Sequence, residues 1–125
     1  MSPSKAATSS VSGEQAERAV RRLEEMATDL RGCALLDSGG EVLAASGESG
    51  RRDEWRRAAA ELLAAADAAR GEPAAHVHVA TEDGEVFAIR RRGLTMVAVA
   101  ERFTLASLLV SDIRTVLREL TAPAA

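Results

Sequence analysis

Read for the spacing of apolar and polar residues, the chain falls into three stretches of helical period and five short stretches of strand character. Ala16, Ala19, Val20, Leu23, Met26, Ala27 and Leu30 recur at the helical period, with Glu14, Arg18, Arg21, Arg22, Glu25 and Asp29 on the opposite side. That pattern predicts an amphipathic helix packing on one surface only. Ser12 precedes it with Gln15 three residues on, the spacing of a capping box. Next, Cys33 to Leu36 forms an apolar strand, Asp37-Ser38-Gly39-Gly40 a turn, and Glu41 to Ser46 a second strand, together a hairpin.

From Ala75 to Ala100 the pattern predicts three antiparallel strands joined by tight turns. Glu82-Asp83-Gly84-Glu85 holds an Asp-Gly pair, where Gly tolerates the positive φ of a hairpin turn, and Arg91-Arg92-Gly93 again ends in Gly. The third of these strands, Leu94 to Ala100, is apolar at nearly every position, as is Cys33 to Leu36. Strands of this kind are covered on both faces, which puts the two side by side at the centre of a sheet. His76-Val77-His78-Val79 instead alternates, as a strand nearer an edge does.

Between hairpin and meander, the Gly47 to Arg52 loop leads to Asp53, a candidate cap for a helix from about Glu54 to Arg70. Trp55, Ala58, Ala59, Leu62, Ala66 and Ala69 make its core stripe. Opposite them, Ala60, Ala64 and Ala68 recur every four residues between Arg57, Glu61 and Asp67. Alanine fills exposed positions as the best helix former, but small residues also let a second helix approach closely with charges at the rim. A last helix from about Thr104 to Leu120 carries Leu105, Leu108, Leu109, Ile113, Val116, Leu117 and Leu120, with Asp112 inside the stripe. Asp112 lies either where the stripe meets solvent or against a buried donor. The sum is α-β-β-α-β-β-β-α, one domain over residues 13–121, with a disordered tail over 1–12 and a short tail over 122–125.

Composition narrows the function. The 125 residues bury roughly 65% of their unfolded surface in one domain. With only one Trp and two Phe, the core rests on Leu, Val and Ile, and a small core favours oligomerisation. A net charge of -3 without an aromatic-studded basic stripe argues against nucleic acid. No apolar run approaches ~20 residues, so no spanning helix is expected, and the N-terminus lacks a secretory core. Cys33 is the lone cysteine and cannot form an internal disulfide, which fits the cytoplasm.

Candidate chemistry is sparse. Cys33 in a buried strand reads as inert packing. His76 and His78 project to one face and could offer two metal ligands, but no third His or Cys is spaced to complete a site, so no metal or other cofactor is expected. There is no G-x-x-x-x-G-K-S/T loop for nucleotide hydrolysis, and Lys5, the single lysine, is in the tail. The Arg51/Arg52 and Arg90/Arg91/Arg92 clusters are either solubilising or able to meet an acidic partner. No catalytic residue is assigned.

The order of elements resembles the Roadblock (dynein light-chain) family. The resemblance rests on Leu30-Arg31-Gly32-Cys33-Ala34-Leu35-Leu36-Asp37 with Gly39-Gly40-Glu41-Val42-Leu43-Ala44, and on Ala80 to Phe87, Thr95 to Val99 and the closing apolar helix. It spans Glu14 to Leu120. It implies an α+β sandwich with a five-stranded antiparallel sheet in the order 2-1-5-4-3, the middle helix on one face and the terminal helices on the other. It also implies a homodimer through the middle helix and third strand, which would place Arg57, Ala60, Glu61, Ala64, Ala68, His76 and His78 at the contact.

By the same resemblance the protein would be a non-enzymatic partner of a small Ras-like GTPase. Bacterial stand-alone members often accompany a GTPase and a sensor kinase. Arg51 and Arg52 are then candidates for partner contact, with an arginine finger as one candidate role, although the family does not generally supply one. Two other readings stand beside this: a structural dimer or scaffold indifferent to nucleotide, and a small-molecule or metal sensor using the His76/His78 face.

Overall fold

The computed structural model describes residues 11–46 and 51–122. Its elements run α1 (Gly13–Met26), β1 (Leu30–Leu36), β2 (Val42–Ala45), α2 (Arg52–Arg70), β3 (His76–Ala80), β4 (Glu85–Arg91), β5 (Leu94–Ala100) and α3 (Ala106–Thr121). The expected tails, apart from Val11, Ser12 and Ala122, and the loop over Gly47–Gly50 lie outside the described residues. Val11 packs against the core and Ser12 caps α1, so the fold begins earlier than the expected end of the tail.

The five strands form one antiparallel sheet in the order β2-β1-β5-β4-β3. The two strands that are apolar on both faces, β1 and β5, are neighbours in its middle, paired from Leu30↔Ala100 to Leu36↔Thr95. Alternation along them then feeds two cores. On one face Cys33, Leu35, Phe87, Met96 and Ala98 meet α1 through Ala16, Val20 and Leu23, and α3 through Ile113, Val116 and Leu117. On the other, Ala34, Leu36, Val77, Ala88 and Val97 meet α2.

Local chemistry sets the boundaries. At α1 the capping box is complete: Ser12 Oγ accepts from the Gln15 N–H at 3.1 Å, and Gln15 Oε1 accepts from the Ser12 N–H at 2.8 Å. The helix stops at Met26 rather than reaching Leu30. Ala27 turns extended as its cap, and Leu30, though on the helical stripe, is drawn into the ladder opposite Ala100.

Of the hairpin turns, Arg92-Gly93 has positive φ at both residues (49° and 81°), the two-residue geometry whose twist suits flanking strands. Asp37 Oδ1 accepts from the Gly39 and Glu41 N–H groups, and Gly40 is left-handed. Gly84 departs from expectation, because its φ is not positive. A Cβ there would lie 2.5 Å from the Ala100 carbonyl oxygen and run into the Arg31 guanidinium, so glycine is required by close approach.

Two helices shift from the predicted phase. Asp53 does not cap α2. Arg51 occupies the cap position without a side-chain bond, and Asp53 sits in the first turn, where its charge still suits the helix dipole. Ala58 and Ala69 are exposed, and Leu63 joins Trp55, Ala59, Leu62 and Ala66 against the sheet instead. In α3 the start moves from Thr104 to Ala106, because Phe103 takes a left-handed φ of 63° and Leu105 is extended. Leu105 and Leu108 are therefore exposed, at 65% and 57%. Asp112 is half-buried on that same side, where the stripe runs out to solvent.

Candidate functional site

Helix α2 lies over its face of the sheet with a single fully buried residue, Ala59. Alanine side chains are too short to interlock deeply, so Trp55, Leu62 and Leu63 supply most of the contact and the rest of the helix surface stays open. Arg57, Ala60, Glu61, Ala64 and Ala68 are all exposed on it. The backbone can thus be approached closely along the alanine row, between charges that offer ion pairs at the margin.

The C-terminal half of α2 is tied down by one ion pair. Arg90 on β4 reaches Asp67 with both guanidinium nitrogens, at 2.8 and 3.0 Å, and also donates to the Ala74 carbonyl oxygen. Asp67 accepts from the Ala74 N–H as well. The Arg90 hydrogen bond first, then the Ala74 N–H, hold the Asp67 carboxyl below its usual range. Beside this pair a groove of about 930 Å³ runs between α2 and the β1–β2 and β4–β5 turns, lined by Arg56, Arg57, Arg92, Ala60 and Ala64 among others.

Strand β3 is an edge, paired only with β4, with its outer backbone groups unpaired within the sheet. Such an edge is a template for another strand. Val77 and Val79 point to the α2 side, and Val79 is 39% exposed, an apolar contact residue that the sequence pattern placed but did not single out. His76 and His78 point to the other side, above α3. The ring of His78 stacks on Phe87 at a centroid distance of 4.3 Å, and its Nε2–H donates to Glu85 Oε1 at 2.6 Å.

The expected contact residues thus fall into two groups. The alanine row is outside α2, while the two histidines are on the opposite face of the sheet, and the groups come together only along the β3 edge. Arg51 and Arg52 stand at the start of α2 and are engaged locally: Arg51 is 3.7 Å from Glu54, and Arg52 donates to the Val42 carbonyl oxygen at 2.9 Å. Cys33 is buried beneath α1, and burial first, with the nearby Glu24 charge second, pushes its thiol up to about 12. Among the described residues no three His, Cys, Asp or Glu side chains come together to hold a metal, and no helix is long and apolar enough to cross a membrane.

A three-helix, five-stranded sheet in this order, with the middle helix alone on one face, is the Roadblock/LC7 fold. Solved structures agree with it across most of the chain. A Roadblock/LC7 domain from Streptomyces avermitilis superposes with a TM-score of 0.73 at 17% identity, covering 83% of this chain and 92% of that one. The gliding protein MglB from Thermus thermophilus gives 0.71 at 17% identity, covering 89% and 93%. An MglB with a tetrameric arrangement gives 0.63 at 19% identity, covering 89% and 92%. No family model and no curated protein matches the sequence.

Proposed function

We propose that the chain is a non-enzymatic regulator or scaffold, a homodimer that docks on a small Ras-like GTPase and biases its nucleotide cycle, in bacterial signalling. The observation that carries this reading is the open α2 face, an alanine row between Arg57 and Glu61, beside the unpaired edge of β3. Two copies meeting there would bury the alanine rows against each other and continue the sheet from β3 to β3. The arrangement suits a rigid dimer that presents a surface rather than a reacting group. Its likeness in fold to Roadblock/LC7 and MglB structures supports the same reading.

The mechanism is positioning. Docking on the GTPase switch segments holds one of their conformations, and hydrolysis or exchange changes with the population held. Arg51 and Arg52 contribute to that contact at the rim; acting on a phosphate would require them first to leave Glu54 and Val42. A sensor kinase acting in the same circuit is a further partner.

The test is capture of the partner from the source cells with tagged protein, followed by binding of the recovered GTPase loaded with GDP or with a non-hydrolysable GTP analogue. The proposal expects affinities differing by about tenfold or more between the two states. Equal affinities would leave a scaffold without nucleotide dependence, and recovery of no GTPase would contradict the reading.

A further inference from the structure

On the face of the sheet away from α2, an open groove of about 390 Å³ separates the β3 edge from α3. His76 and His78 form one wall, and Ser107, Ser111, Arg114 and Arg118 the other. The four α3 residues are spaced by four, three and four, which places them in one row along the helix. The dimeric reading uses the histidines only as part of a strand face and does not involve the arginines at all.

The two arginines of this groove are not neutralised. Neither Arg114 nor Arg118 forms an ion pair among the described residues, and Arg118 makes only a 3.3 Å bond to the neighbouring Thr115 hydroxyl. The Glu85 carboxylate, on a residue 9% exposed, lies against His78, whose Nε2–H it accepts. At the other end, the first turn of α3 carries no acidic residue and its cap makes no side-chain bond, so the positive end of the helix is also uncompensated. Burial first, then the Arg114 charge, then His78, hold the His76 imidazole below its usual range.

We propose that this groove is an oxyanion site for a phosphate-bearing ligand. Donors reach it from two walls: guanidinium forks and hydroxyls from α3, and the His76 imidazole from β3. A planar carboxylate satisfies one fork, whereas a phosphate offers three acceptor oxygens in different directions and can engage both walls. His78 adds shape to the β3 wall. Its ring is held in place by stacking on Phe87.

The test follows the His76 and His78 side-chain NMR signals of the intact protein during titration with inorganic pyrophosphate at constant ionic strength. The site predicts saturable shifts of both histidines with a Kd below about 1 mM. Arg114→Gln and Arg118→Gln should each weaken binding about tenfold, while Arg92→Gln, on the β4–β5 turn, leaves it unchanged. Citrate should bind about tenfold more weakly than pyrophosphate. No saturable shift, shifts that survive both arginine substitutions, or equal binding of citrate would overturn the proposal. Both arginines are exposed, so the variants are expected to fold, and matching melting curves check this.

Discussion

The two faces of the sheet carry different kinds of packing. Under α1 and α3, Phe87, Leu35, Met96, Ile113 and Leu117 are almost wholly excluded from water, and large side chains interdigitate across two helices. Under α2 the buried set is Ala34, Leu36, Ala59, Ala74, Val77, Ala88 and Val97, mostly small, and much of the helix surface remains open. Close packing of large apolar groups is where folding free energy is gained. The first face therefore holds the domain together, and the second has surface left over for another molecule. Both faces come from the same strands by simple alternation, so one short sheet serves stability on one side and, in the function proposed above, contact on the other.

The comparison breaks most visibly at Phe87. Phe87→Ala should cost about 3–5 kcal/mol, read by urea unfolding, because the ring is fully buried and its neighbours cannot collapse into the space. Leu63→Ala on the α2 side should cost about 1 kcal/mol, since that side chain is only half-buried. Similar costs for the two substitutions would remove the distinction between the faces.

A smaller effect concerns how α2 is fastened. Asp67 titrates lower in the folded chain than unfolded, so the stability it contributes is present above the ordinary carboxylate range. It is lost as pH falls through that range toward the lower folded value. Arg90→Gln removes the main cause of the shift and should flatten this acid limb in melting curves taken from pH 6 to pH 3. An unchanged limb would mean that Arg90 does not hold Asp67 ionised. His76, a base with a lowered value, adds a slight loss of stability as pH falls below about 6.5.

Much of the architecture was legible before any coordinates. The central pairing of β1 with β5 follows from two strands apolar on both faces, the full sheet order was implied by the family resemblance, and the start of α1 follows from Ser12 and Gln15. What escaped depends on groups distant in sequence. Leu30 continues a helical stripe, but pairing with Ala100 places it in a strand. Gly84 looks like a turn glycine, while its real constraint comes from Arg31 and Ala100.

The expected contact residues show the same division. Ala60, Ala64 and Ala68 are exposed together, as one helix face requires. His76 and His78, expected to share a surface with them, face α3, because strand alternation sends them to the side opposite Val77. Arg114 and Arg118 drew no notice in the sequence, since only the fold brings them opposite two histidines from another element.

The central claim is that the α2 face is a contact surface between two copies, and light scattering on the wild-type chain and Ala64→Arg tests it most directly. Ala64 is exposed mid-row, so the arginine should change folding stability by no more than about 0.5 kcal/mol, while two such charges could not share a close helix crossing. The account predicts a wild-type mass twice the 13.2 kDa of one chain, and a well-folded Ala64→Arg monomer. A wild-type monomer, or a variant that stays dimeric, would contradict it.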